Sequence, residues 1–284
     1  MSRVADDILL CEQCGYTLEG LEPDAHPDAR CPECGTPVAW SLPSRRPGTA
    51  WQQSRTPTAW LVTLLRVLRS PRGQFDVMHV APRERWSLLW SYLLLAGVLL
   101  SAPFAGMGVV RANFPPRGER VIQELALYVG GALLNFALVV GGLWLLTWIE
   151  VVGIRFFAAR RGWRLTESAA WQVASHAGVG WVLSGVLMLF GLAIPFAIDR
   201  IAPRLLGHRL DLTWASLGYV GVREITQGVL ILGGAFAGML VFETLVYLGV
   251  TRCRYANMPR DRAGSEAGDR NSATQPSFST TTSA

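Results

Sequence analysis

The chain has 284 residues, of which 50% are hydrophobic and 17% are charged, and its formal net charge is +5. Soluble domains carry about 25% charged residues, so this composition excludes an ordinary soluble globular domain. The opening "MSRVADD" lacks the basic start and apolar stretch of a signal peptide. We therefore expect the first 85 residues to stay in the cytoplasm.

Four cysteines near the N-terminus, Cys11, Cys14, Cys31 and Cys34, form the pattern C-x2-C-x16-C-x2-C. Four thiolates make the closed tetrahedral site that structural Zn²⁺ prefers. A glycine follows each pair directly, where such a turn needs a positive φ. The pattern predicts a small β zinc ribbon over residues 1–40. Two disulfides or a redox-active pair are the alternatives, but the expected cytoplasmic location disfavours disulfides, and redox chemistry needs only one pair.

The predicted ribbon and the segment after it carry opposite charges. Residues 1–40 contain eight acidic side chains and two Arg, whereas residues 41–85 contain eight Arg and two acidic side chains. Nucleic-acid binding requires a basic face and is not expected of the ribbon. We expect the acidic ribbon to contact an unidentified protein partner or the Arg-rich segment, and the Arg-rich segment to lie on anionic membrane lipids.

Residues 41–85 are predicted to form a linker and an interfacial amphipathic helix. Prolines interrupt the first part, which is typical of a linker. The stretch "TAWLVTLLRVLRS" at 58–70 then places apolar side chains at helical spacing, with Arg66 and Arg69 elsewhere on the helix. This helix is too short to cross a membrane. It is expected either to lie in the membrane interface or to pack against the bundle.

Four long stretches with almost no charge follow, and a membrane-crossing helix needs about 20 apolar residues. We therefore predict an all-α membrane protein with about four transmembrane helices in a bundle over residues 86–252. The predicted spans are 86–110, 125–149, 170–198 and 225–250. Residues 253–284 are rich in Ser, Thr, Ala and Arg without apolar periodicity, and they are predicted to be a disordered tail.

The arginines are divided unequally between the two sides of these predicted spans. Nineteen lie on the side that carries both termini and seven lie on the other side. Positively charged residues concentrate on the cytoplasmic side of membrane proteins. Both termini are therefore expected to face the cytoplasm.

Polar and small residues inside the predicted spans mark contacts between helices. Ionisable groups in a membrane are costly and usually face protein or water. The predicted intramembrane polar cluster comprises Glu150, Gln172, Ser175, His176 and Glu243. Within it, a His176–Glu243 contact is expected to hold spans three and four together, with an ion or proton pathway as the alternative. The spacing of Gly234 and Gly238 predicts close helix packing in span four.

Two stretches resemble bacterial Yip1-type membrane proteins. The stretch "SRTPTAWLVTLLRVLRSPRGQFDVM" at 54–78 looks like the entry to that family, where a short amphipathic helix and a Pro-containing turn precede about five helices. The stretch "LTESAAWQVASHAGVGWVLSGVLMLFGLAIP" at 165–195 is similar to the family's middle helices. The ribbon resembles one that precedes membrane domains in other bacterial proteins. The resemblance spans residues 54–198 and implies a scaffold in a bacterial inner membrane.

Catalytic motifs are not found: the sequence has no HExxH, no GxSxG and no phosphate loop. The sequence therefore favours a non-enzymatic integral membrane protein whose cytoplasmic zinc ribbon makes protein contacts. A transporter or channel-like protein that uses His176 and Glu243 is the alternative, and an enzyme ranks third. The sequence does not fix the oligomeric state.

Overall fold

The computed structural model describes residues 8–21, 28–80, 85–111, 120–206 and 222–257. This part of the chain is mostly helical. After two short 3-10 turns, Val38–Ser41 and Pro43–Arg45, its helices are α1 (Ala50–Gln53), α2 (Pro57–Arg69), α3 (Pro71–Val77), α4 (Arg85–Arg111), α5 (Arg120–Arg160), α6 (Glu167–Ala177), α7 (Val179–Leu206) and α8 (Val222–Cys253).

Within the described residues, four segments are long and apolar enough to cross a membrane, which makes the chain an integral membrane protein, as the sequence predicted. They are Trp86–Pro103 in α4, Leu125–Arg160 in α5, Glu167–Ile194 across α6 and α7, and Ile225–Cys253 in α8. Helix α5 runs well past the predicted end at residue 149. The helix continues because charged side chains end an apolar stretch without interrupting helical backbone. Its 41 residues are about 62 Å long at 1.5 Å per residue.

The third segment is two helices that meet at Gly178. The amide of Gly178 donates to the carbonyl of Ala174 (3.0 Å), and the amide of Trp181 donates to the carbonyl of Gly178 (3.1 Å). A Cβ at Gly178 would lie 3.2 Å from the Tyr92 ring of α4. The break therefore lies where the third segment packs closely on α4 around a missing side chain.

The bundle is built around close contact between α7 and α8. Helix α4 lies between α5 and α7, while α6 contacts α4, α5 and α8. A Cβ at Gly234 would lie 2.8 Å from the backbone of Leu187, and a Cβ at Gly238 would overlap the backbone of Ser184. The hydroxyl of Ser184 donates to the carbonyl of Ala235 (2.9 Å). The two glycines thus face α7.

Helix α2 has a narrow face on the bundle and a wider apolar face that is exposed. Its bundle face contains Ala59, Thr63 and Val67, which are buried, and the neighbouring Trp60 indole donates to Ser91 of α4 (2.8 Å). Its exposed apolar side chains are Leu61, Val62, Leu65 and Leu68. The helix therefore packs against the bundle, as one of the two predicted arrangements has it, and its location in the membrane interface stays a prediction.

The four cysteines lie in what we call the Cys module, residues 8–21 and 28–41. The predicted β ribbon is not shown: within these two ranges the backbone forms no strand, only the isolated bridges Leu10–Thr17 and Arg30–Pro37. Each cysteine pair sits in a loop of about ten residues whose ends already meet. The chain therefore closes on itself before a ladder of strand hydrogen bonds can form.

Candidate metal centre

Each cysteine pair is held in a turn by the same two backbone hydrogen bonds. In the first, the amide of Cys11 donates to the carbonyl of Tyr16 (2.8 Å) and the amide of Gly15 donates to the carbonyl of Cys11 (2.8 Å). The second repeats this with Cys31 and Thr36 (2.8 Å) and with Gly35 and Cys31 (2.9 Å). The glycines have φ of 81° and 72°, a conformation that side chains disfavour.

The two turns belong to an internal repeat in which residues 9–18 correspond to residues 29–38. The ends of each copy are joined by equivalent bonds, from the amide of Leu18 to the carbonyl of Leu9 (2.8 Å) and from Val38 to Ala29 (2.9 Å). The apolar ends pack with the two buried cysteines into a small core. The cysteines and glycines of this repeat predicted the turns from sequence, and the flanking apolar residues are a further signal in the same sequence.

The four predicted ligand atoms converge. The sulfurs of Cys11, Cys14, Cys31 and Cys34 all lie within 4.8 Å of one another, and the Cys11–Cys34 and Cys14–Cys31 separations are both 3.6 Å. A tetrahedral ion bound about 2.3 Å from each sulfur requires separations of about 3.8 Å, whereas a disulfide requires about 2.05 Å. The cluster therefore fits a metal ion whose four positions are all filled by protein.

The four thiols differ in how readily they lose a proton. Hydrogen bonds from Thr36 lower the pKa of Cys34 to about 6. Burial, together with the neighbouring sulfurs, raises the pKa of Cys14 to about 12, and burial also raises the pKa of Cys11. At neutral pH the cluster therefore keeps protons that a bound cation would displace.

The Cys module is fixed to the end of α8 by side chains that no motif in the sequence marks. The amide group of Asn257 donates to the carbonyls of Leu10 (2.8 Å) and Ser41 (2.7 Å) and accepts from the amide of Leu10 (2.9 Å). Arg254 donates to the carbonyl of Gln13 (2.7 Å). Residues 254–257, assigned by sequence to the tail, thus form the surface on which the module is docked.

Arg46 is the second docking element, and its side chain is only 4% exposed. Its guanidinium donates to both oxygens of Glu12 (3.0 Å each) and to the backbone carbonyls of Phe75 (2.8 Å) and Arg252 (3.2 Å). Burial alone lowers the pKa of Arg46, but Cys253 and Glu12 raise that pKa above its ordinary value. The charged group therefore joins the first cysteine turn to both α3 and α8.

Part of the predicted intramembrane cluster is found beneath this docking surface, with partners from the linker. Nε2 of His176 lies 3.3 Å from the hydroxyl of Thr49, and Nδ1 lies 2.8 Å from the carbonyl of Gln172. The side chain of Gln52 donates to that of Gln172 (3.0 Å). Thr49 and Gln52 form a capping box for α1, a sequence signal that would have identified them. Ser175 is buried beside them on α6.

The predicted His176–Glu243 contact is wrong for the described residues, because both ring nitrogens of His176 are engaged as above. Glu243 instead lines a groove of about 280 Å³ between α5 and α8, together with Glu150, Arg161 and Trp163. The predicted cluster is therefore two separate sites: a buried network around α6, and two carboxylates that face the groove.

No protein-family model matches the chain, and neither a curated protein nor a solved structure matches it. The resemblance to Yip1-type proteins therefore remains a prediction.

Proposed function

We propose that this chain is a non-enzymatic membrane scaffold whose Cys module binds structural zinc and presents an acidic surface to a protein partner. One observation carries the proposal: Asn257 and Arg46 fix the module to the end of the bundle. A module held in this way offers its exposed carboxylates in a constant orientation. Of the acidic residues described in the module, Glu12 is used for docking, while Glu19, Asp28 and Glu33 are exposed.

Zinc is the ion that best fits the site's chemistry. Four thiolates at tetrahedral spacing suit zinc, and four protein ligands leave no position for a reacting water. The same closed coordination supports a structural rather than a catalytic role. The arginine distribution supports a cytoplasmic location for the module and both termini, and the Yip1-like stretches suggest a bacterial inner membrane.

Membrane lipids are the proposed partner of the exposed apolar face of α2. Leu61, Leu65 and Leu68 recur at helical spacing on this face, with Arg66 and Arg69 to one side of it. An apolar face bordered by arginines suits the boundary between acyl chains and anionic headgroups. The helix would then hold the linker, and with it the docked module, at the membrane surface.

The experiment is crosslinking in native membranes with two variants of equal charge. The variant Glu19→Gln/Asp28→Asn/Glu33→Gln removes the exposed carboxylates and leaves Glu12 and the cysteines intact. The control Asp76→Asn/Glu150→Gln/Glu243→Gln removes three carboxylates outside the module. A specific crosslinked protein that is lost only from the first variant supports the scaffold. The same crosslinks in both variants and the wild type would count against it.

The groove between α5 and α8 favours a second candidate, a cation or proton pathway. Two carboxylates inside candidate spans are costly unless they serve a polar ligand or an aqueous path, and Glu150 and Glu243 line one groove. His176 is not part of this proposed pathway, because it contacts Thr49 of the linker and does not line the groove. Flux of protons or monovalent cations in proteoliposomes that is abolished by Glu150→Gln/Glu243→Gln would support a transporter, and no flux in the wild type would exclude this version.

A further inference from the structure

A cleft of about 550 Å³ lies between the Cys module and the ends of α3 and α8. Sites for small molecules commonly have volumes of about 300–1,000 Å³, so the cleft is large enough for a small ligand or a lipid headgroup. The charged side chains in its lining are Arg45, Arg46, Arg252, Arg254, Glu12 and Asp76. The lining therefore has an excess of two positive charges.

Two of these arginines lack a carboxylate partner among the described residues. Arg46 is paired with Glu12, and Arg252 lies 3.6 Å from Asp76. Arg45, in contrast, rests over the ring of Trp40 (4.6 Å), and its side chain is exposed.

Arg254 makes only one of its five possible donations to protein that the structure describes, to the carbonyl of Gln13 (2.7 Å). Its guanidinium carbon lies 5.4 Å from the ring of Tyr255. A guanidinium has five N–H donors. Both Arg45 and Arg254 therefore keep donors for a ligand in the cleft, and each is steadied by an aromatic ring.

We propose that this cleft binds the phosphomonoester group of a small metabolite or of a lipid headgroup. A phosphomonoester carries a charge of about −1.5 to −2 at neutral pH, which balances the excess in the lining. Its oxygens accept paired hydrogen bonds from the planar guanidinium fork, which gives arginine its preference for phosphate. Such binding requires the cleft and its charges, and it does not require the proposed scaffold function.

Either source of the phosphate can reach the cleft. Arg252 and Arg254 lie at the end of the fourth candidate span, which finishes at Cys253. This is the level at which a span leaves the apolar core and meets headgroups. The opposite wall belongs to the Cys module, through Gln13, Thr36 and Trp40, and the module lies outside the candidate spans. Glycerol 3-phosphate and a short-chain phosphatidic acid present the same phosphate in soluble and lipid form.

The test is titration calorimetry of the full-length, metal-loaded protein in detergent with glycerol 3-phosphate, and with glycerol as the probe without phosphate. We expect glycerol 3-phosphate to bind saturably and glycerol not to bind. Arg45→Gln should weaken it about tenfold, because one charged hydrogen-bond pair is lost. Arg45→Lys should lose about threefold, since the charge stays but the fork does not. The control Arg55→Gln/Arg160→Gln removes two exposed arginines outside the cleft and should change the affinity by less than about twofold.

Dihexanoyl phosphatidic acid distinguishes the sources. Affinity equal to that of glycerol 3-phosphate identifies a soluble ligand, and affinity at least about tenfold tighter, with the same sensitivity to Arg45→Gln, identifies a headgroup. The proposal is overturned if neither glycerol 3-phosphate nor dihexanoyl phosphatidic acid binds saturably. It is also overturned if the control Arg55→Gln/Arg160→Gln weakens binding as much as Arg45→Gln. The decision rests on Arg45 because it makes no docking bond, whereas Arg254 helps to hold the module.

Discussion

The Glu12–Arg46 pair is expected to dominate the docking of the Cys module, and Glu12→Gln tests this. Arg46 is 4% exposed and Glu12 20% exposed, and two bonds of 3.0 Å join them. Removing one partner of a fully buried pair costs about 3–5 kcal/mol. Because Glu12 is partly exposed and glutamine retains one acceptor, we expect about 2 kcal/mol. That free energy corresponds to an opening equilibrium about 30-fold larger.

The backbone amide of Leu10 reports docking directly, since it donates to Asn257 (2.9 Å). Hydrogen exchange resolved to single residues, in nanodiscs, measures how often that bond opens. Glu12→Gln should raise the exchange rate of Leu10 by about 30-fold. The amide of Gly35 lies within the second cysteine turn and should change by less than about threefold, because that turn does not depend on docking.

Asp76→Asn is the matched control, because Asp76 and Arg252 form an exposed pair with side chains 49% and 43% exposed. Exposed pairs contribute about 0–1 kcal/mol, so the exchange rate of Leu10 should rise by no more than about threefold. Equal effects of Glu12→Gln and Asp76→Asn would refute the assignment of docking to the buried pair. An unchanged metal content in both variants separates undocking from loss of the metal.

Three further predictions concern the metal centre and the bundle. Cys31→Ser in the full chain should lower the bound metal, measured by elemental analysis, from about one ion per chain towards none. It should also speed hydrogen exchange at the amide of Gly35 while α4–α8 stay protected. Intact protection at Gly35 without metal would contradict this. Metal uptake at pH 7 should release protons to an indicator dye, because raised pKa values keep Cys11 and Cys14 protonated. The apparent affinity for the metal, measured by chelator competition, should therefore rise with pH. A metal affinity that does not depend on pH would be inconsistent with this. Gly238→Leu should destabilise the detergent-solubilised bundle by about 2 kcal/mol or more, because its side chain would overlap Ser184. The side chain of Gly233→Leu would enter open space, so this control should be near neutral. Equal melting temperatures of the two variants would argue against close packing at Gly238.

The sequence was most informative where a physical requirement is local. Long apolar stretches predicted the four candidate spans, because the length of a crossing helix is fixed by the bilayer. Cysteine spacing and the following glycines predicted a convergent ligand set, because each turn is complete within about ten residues. The β ribbon is not shown in the described residues, because the same local closure leaves no length of chain for strands.

The His176–Glu243 contact failed because depth in the membrane does not determine direction around a helix. Phe242 is buried and stacks on Trp181 of α7 (4.5 Å), so that side of α8 faces the third segment. The next residue, Glu243, is turned by about 100° and reaches the groove beside α5. His176 found its partner in Thr49, 127 residues earlier in the chain, and no helical periodicity relates two such positions.

The contacts within the Cys module and the contacts that dock it differ in how far apart the bonded residues lie in the sequence. The sulfur contacts and the backbone–backbone hydrogen bonds of the module connect residues at most 23 positions apart, so the cysteine turns can form once residues 8–41 are available. The bonds to Asn257 connect residues 247 positions apart and require the end of α8. Arg46 connects the two sets, because it bonds to Glu12, 34 positions earlier, and to the carbonyl of Arg252. Because distant contacts form late, we expect the cysteine turns to form first and the bonds to Asn257 to form only when the last helix is in place.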